Sequence, residues 1–183
     1  MSKAFNPQRL DIAAFSQEKA QLSGRDSLGD YIRLAKESEE SVSEFFLEWR
    51  AEGERLRAAD GAVHPGLHLY AHAELPLTCQ LCMGHVLVPV EVDRRFIFVA
   101  DEEAAAALDD QSEDDVLVIS AEFDLHELIE DELLMAMPLV PRHDQCPETP
   151  KLSAQDADFE VVQQDKPNPF AILASLKDGK KGA

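Results

Sequence analysis

The side chains best suited to chemistry fall in two short runs, Cys79-Gln80-Leu81-Cys82 and His143-Asp144-Gln145-Cys146. Two thiols at this spacing in a tight turn can hold one side of a tetrahedral zinc ion. His143 and Cys146 are ligands of the kinds that complete a Cys3His set. Gly84 would help the backbone turn, and His85 is a competing ligand. A pair of reduced cysteines packed in a turn is the plainer reading of the same residues. A redox CxxC is expected at a helix N-terminus in a βαβ context, which the flanking sequence does not offer. His64, His68 and His72 suggest a metal, but on a strand residues four apart are separated by roughly 13 Å. That is too far for one ion, so they are read as the polar face of a strand. The adjacent carboxylates Glu130 and Asp131 are the strongest case for catalysis. On a helix they point about 100° apart and do not converge on one substrate atom. No phosphate-binding loop, nucleophile elbow or metal-dependent nuclease pattern appears, so the chain is expected not to be an enzyme.

Cys79 and Cys82 lie between two stretches with a two-residue period, which predicts a hairpin tip. From Val63 to Leu77 the odd positions are apolar or small and the even ones carry His64, His68, Tyr70, His72 and Glu74. Val86, Val88, Val90, Val92, Phe96 and Phe98 repeat the pattern, broken by Arg94. Glu44 to Arg50 alternates as well, and Val116 to Ile119 adds a short apolar strand. His143 and Cys146 follow a predicted amphipathic helix over about 124–137. Asp124 is its N-cap, with Glu127 in capping-box position. Leu125, Leu128, Ile129, Leu133 and Ala136 form its apolar stripe, and Pro138 ends it. Glu127, Glu130 and Asp131 gather on its other side as a candidate partner-binding face. Half-polar strands imply an antiparallel sheet with one face buried and covered by this helix, an α+β domain. Helices near 7–15 and 27–37, the second with Leu28, Ile32 and Ala35 buried, and a strand near 20–24 are expected at its periphery.

The 183 residues carry 36 Asp and Glu against 17 Lys and Arg, a net charge of −19. Such a surface repels nucleic acid and anionic membrane at long range and attracts basic partners. The start, MSKAFNPQRLDIAAF, has no apolar run of signal-peptide length, and no stretch approaches a membrane span. With three cysteines, an odd number, a reducing cytoplasmic setting is expected. Asp101 to Asp115 is rich in acids and has no base, so a solvated acidic loop is expected there. It also has the composition of an arm that shields a Lys/Arg-rich protein. One domain over 1–150 is predicted, followed by a polar linker and a short helix at about 169–177. In that helix Asn168-Pro169 opens the first turn and Phe170, Leu173 and Leu176 line an apolar edge. It can dock on its own sheet or on a partner.

Together CQLC, ELIEDELLMAMPLVPRHDQC and KPNPFAILASLK resemble the YceD family of large ribosomal RNA subunit accumulation proteins. The likeness runs in order along most of the chain. It implies a non-enzymatic factor for synthesis, processing or stability of 23S rRNA. Many relatives carry a second cysteine pair after the helix, which makes a structural zinc site reasonable there; this chain departs from that pattern and offers His143 and Cys146 in that region instead. RNA affinity rests chiefly on Lys and Arg neutralising phosphates, which this composition does not favour. The preferred expectation is therefore an assembly factor that holds a basic ribosomal protein or a large-subunit assembly factor through acidic faces. The alternative is a zinc-binding adaptor with weak direct rRNA contact through Arg94, Arg95, Lys177, Lys180 and Lys181.

Overall fold

The computed structural model describes residues 5–38, 42–58, 61–147 and 154. The chain divides into Met1–Pro150 and Lys151–Ala183, and the first unit is the one described below. The expected helix at about 169–177 lies outside the described residues, and with it Phe170, Leu173, Leu176, Lys177, Lys180 and Lys181.

Five strands form one mixed sheet in chain order: β1 (Gln21–Ser27), β2 (Phe46–Arg57), β3 (Val63–Thr78), β4 (His85–Val99) and β5 (Asp115–Val118). With four α-helices beside it, the unit is α+β. β1 to β4 run antiparallel, whereas β5 pairs parallel to β4, with Phe96 opposite Asp115 and Val99 opposite Val118. The expectation of a wholly antiparallel sheet is corrected at this edge. A parallel neighbour needs a crossover connection, and the acidic run provides it. Instead of a loop it contains a helix, α3 (Glu102–Asp109), whose N-cap Asp101 accepts from the Ala104 amide at 2.9 Å. Ala104 to Ala107 are strong helix formers, and Glu102 and Glu103 in the first turn suit the dipole. Leu108 then anchors α3 on Ile97 and Val99 in a small second cluster.

The N-terminal elements are also corrected, because they are not peripheral. The helix expected near 7–15 is a 3-10 turn (Pro7–Arg9) capped by Asn6 and then α1 (Ile12–Gln17) capped by Asp11. The second expected helix is likewise a turn (Leu28–Asp30) and then α2 (Ile32–Lys36). Leu10, Ile12, Phe15, Leu28, Tyr31 and Leu34 are buried in the main core, while Ile32, expected inside, is 68% exposed. Two short elements with separate caps rotate the apolar stripe away from the positions that one continuous helix would give. Gly53 marks where α1 meets the sheet. A Cβ there would stand 2.4 Å from the Phe15 carbonyl oxygen, so only glycine lets β2 run on at this point.

The main core takes Leu47, Trp49 and Ala51 from β2, Leu67 to Leu77 at odd positions from β3, and Val86, Val90, Val92, Phe96 and Phe98 from β4. Each buried large side chain stabilises by about 1.5–3 kcal/mol. α4 (Leu125–Ala136) contributes Leu125, Ile129 and Leu133 to the same cluster, while Leu128 is half-buried and Ala136 exposed. Asp124 caps α4 by accepting from the His126 and Glu127 amides at 2.9 and 3.2 Å. Met137, before Pro138, is already extended, as the proline requires. At the β1 end of this layer Asp26 accepts from the Trp49 indole at 2.6 Å and the Tyr31 hydroxyl at 2.9 Å. His126 stacks on the Tyr31 ring and meets Trp49 edge-on, with centroids 5.7 and 6.1 Å away.

Candidate metal centre

The hairpin joining β3 to β4 is closed by two backbone bonds, Cys79 N–H to Gly84 O at 2.8 Å and Met83 N–H to Cys79 O at 2.9 Å. Met83, just after Cys82, takes the left-handed conformation, φ 59°, where the chain turns back into β4. After Pro138 the chain runs alongside. The Gln80 amide donates to the Pro141 carbonyl at 2.8 Å, and the His143 Nε2–H donates to the His85 carbonyl at 2.8 Å. These two bonds carry His143 and Cys146 to the thiols.

The result is a Cys3His cluster. One ligand atom each from Cys79, Cys82, His143 and Cys146 lies within 4.8 Å of all the others. Cys79 Sγ is 3.8 Å from Cys146 Sγ, and Cys82 Sγ is 3.5 Å from His143 Nδ1. A tetrahedral zinc with ordinary bond lengths would set its sulfurs about 3.8 Å apart and a sulfur–nitrogen pair about 3.5 Å apart. The His85 carbonyl holds the proton of His143 on Nε2, which leaves the Nδ1 lone pair facing the sulfurs as a ligand needs. Burial works against the charged form of Cys79, but the amides of Cys82, His143 and Leu81 point at its sulfur and hold its pKa below the ordinary thiol value. Burial and the neighbouring Cys82 and Cys79 sulfurs push Cys146 up. Sulfurs this close repel as thiolates, and a divalent cation between them removes that repulsion. The residues present therefore fit a structural zinc ion. His85 takes part through its backbone carbonyl, and its ring is outside the cluster.

The other candidate residues are placed as follows. Glu130 does not face solvent. Its carboxylate accepts from the Arg33 and Leu34 amides at 2.6 and 3.1 Å and from Arg33 Nε at 2.8 Å. Asp131 pairs with the other arm of the same guanidinium. Burial opposes the charge on Glu130, but these donors hold its pKa below the usual carboxylate value. Tyr31, at the N-cap of α2, offers no side-chain cap. Glu130 thus caps α2 from another helix, a role with no signature in local spacing. Glu127 is exposed. Arg94 is drawn to Asp115, its Nε and Nη2 at 3.0 and 2.6 Å, with Glu132 at 3.9 Å. Arg95 lies 3.6 Å from Glu54. The histidines of β3 are not brought to one point. His68 is held between Asp93 at 2.7 Å and Tyr70 at 2.9 Å, although Glu52, Glu54 and His68 form a second group with ligand atoms within 4.8 Å.

Residues 67–177, more than half of the chain, match the family described as large ribosomal RNA subunit accumulation protein YceD. This chain belongs to the YceD family. A YceD protein of Haemophilus influenzae, itself named large ribosomal RNA subunit accumulation protein, is 36% identical over 107 residues, or 57% of this chain and 60% of that one. The match therefore spans less than two thirds of that relative's length. No solved structure matches the chain. The YceD span takes in all four residues of the cluster. No helix among the described residues is long and apolar enough to cross a membrane.

Proposed function

We propose that this protein supports the accumulation of 23S rRNA in the cytoplasm as a non-catalytic assembly factor. It would act through a basic ribosomal protein or another large-subunit assembly factor. The observation that carries this reading is the YceD match over residues 67–177. The charge of −19 favours a basic protein over phosphate as the direct contact. In this reading residues 1–150 are one domain, with α4 covering the apolar face of the sheet and zinc in the Cys3His cluster pinning the chain after α4 to the β3–β4 hairpin. Phe170, Leu173 and Leu176, outside the described residues, are the apolar candidates for contact with the partner in this reading. Glu127 is the residue of the α4 acidic side left open for contact, since Glu130 and Asp131 are held by Arg33.

In a strain lacking the protein, the ratio of 23S to 16S rRNA is expected to fall, and a plasmid copy to restore it. An unchanged ratio, with unchanged large-subunit precursors in a sucrose gradient, would remove this reading. The alternative, a zinc-binding adaptor with weak rRNA contact, is favoured in its zinc half by the same cluster. Its RNA half draws less support, because Arg94 is bonded to Asp115 and Arg95 lies beside Glu54. The contact then falls mainly to Lys177, Lys180 and Lys181.

A further inference from the structure

The outer face of the sheet, opposite the main core, is covered by α3 at one end, where Leu108 packs on Ile97 and Val99. Over the middle of β2, β3 and β4 it is open. The strand register sets Glu48, His72 and Glu91 in one cross-strand row and Arg50, Tyr70 and Asp93 in the next. A groove of about 440 Å³ runs over these two rows. A second hollow of about 490 Å³ shares Glu48 and His72 with it and adds Glu74.

The arginines of this face are turned onto their neighbours. Arg25 lies 4.3 Å over the Phe46 ring and 3.5 Å from Glu48; Arg50 lies 4.4 Å over Tyr70 and 3.2 Å from Glu52. Glu91 and Asp93 keep side chains 80% and 69% exposed, although His72 Nδ1 stands 3.7 Å from Glu91 and His68 Nε2 lies 2.7 Å from Asp93. Glu74 has no ion-pair partner among the described residues.

We propose that this groove is the docking face for an extended Lys/Arg-rich segment of a protein partner. The inference rests on the reading of a basic protein partner given above and assigns it a surface. Carboxylates at every second position of a strand recur about every 7 Å, the repeat of alternate side chains in an extended peptide. The half-exposed His72 ring gives the floor a surface along which the alkyl stems of lysine and arginine can lie while their heads reach the acids. Phosphates would meet the same carboxylates as like charges, so nucleic acid is the poorer occupant. The acidic side of α4 is a weaker candidate, because Glu130 and Asp131 are already paired.

The test uses the full chain and a fluorescein-labelled peptide of alternating lysine and threonine near physiological ionic strength. The unaltered protein is expected to bind it. The triple variant Glu48→Gln, Glu74→Gln, Glu91→Gln is expected to weaken binding about tenfold, because it removes charge at the contact. A control on α3, Glu103→Gln, Asp109→Asn, Asp110→Asn, removes as many charges and is expected to weaken binding by less than about twofold, through long-range attraction alone. All altered side chains are exposed, and far-ultraviolet circular dichroism should match the parent. Equal weakening in both variants, or full binding by the first, would overturn the docking face and leave the basic-partner reading standing. No binding by the unaltered protein would overturn both.

Discussion

Protein purified without an affinity tag is expected to carry about one zinc ion per chain and to lose thermal stability on the order of 10 °C when a strong chelator strips it. The magnitude follows from linkage. An ion present at a thousand times its dissociation constant stabilises the folded chain by about 4 kcal/mol, and each kcal/mol moves the midpoint of a domain this size by about 2–4 °C. The rest of the domain should survive, since of the four ligands only Cys79 is a buried member of the main core. The two ligand pairs sit on segments joined by the Gln80–Pro141 and His143–His85 bonds, so the loss should be local to the hairpin tip and the chain after Pro138. Cys82→Ser and Cys146→Ser should each abolish tight metal retention. Cobalt in place of zinc should give the absorption of a tetrahedral thiolate site in the parent and not in the variants. Metal-free protein from zinc-supplemented cells, with a melting point indifferent to chelator, would return the cysteines to reduced thiols packed in a turn.

Glu130→Ala is expected to destabilise the protein by about 2–3 kcal/mol in urea denaturation, although it removes one charge from an already over-acidic chain. The Arg33 and Leu34 amides belong to the first turn of α2, where backbone donors have no intrahelical partner. Tyr31 has no side-chain acceptor to offer them, and Glu130 is the group that satisfies both. Glu130→Gln keeps an acceptor oxygen and should lose about half as much, through the charge alone. The pH dependence follows from the depressed pKa of this carboxyl. Its contribution is fully present above the ordinary glutamate value and disappears as pH falls through the lower folded value. The parent should therefore show a steeper acid loss of stability than Glu130→Gln. Parallel acid limbs, or a loss in Glu130→Ala no larger than for an exposed acid such as Glu127→Ala, would show that the α2 cap contributes little.

Strands β3 and β4 were legible because their alternation is nearly unbroken and Cys79 to Gly84 separates them. The start of α4 was legible because Asp124 and Glu127 mark it locally. Cys79 and Cys82 could be paired with His143 and Cys146 by ligand type, since few such residues exist in the chain. What could not be read came from contacts between distant segments. The parallel edge depends on α3, and composition alone made Glu102 and its acidic neighbours look like loop. The burial of Ile12 and Phe15 depends on Gly53 leaving room for α1. Glu130 read as a surface acid because its partners stand on α2, almost a hundred residues earlier. Arg94 looked like a break in the β4 pattern, and only the fold supplies Asp115 to receive it.

The placement of Trp49 has a practical consequence. It is the only tryptophan in the sequence, and its ring lies between β1 and α4, with the Asp26 carboxylate on its indole nitrogen and the His126 imidazole at its edge. Light emitted by this one indole therefore reports on the seam where α4 begins. Water entering between α4 and the sheet shifts this emission to longer wavelength. The molecule carries its own optical gauge of whether α4 is closed against the sheet, readable without any attached dye.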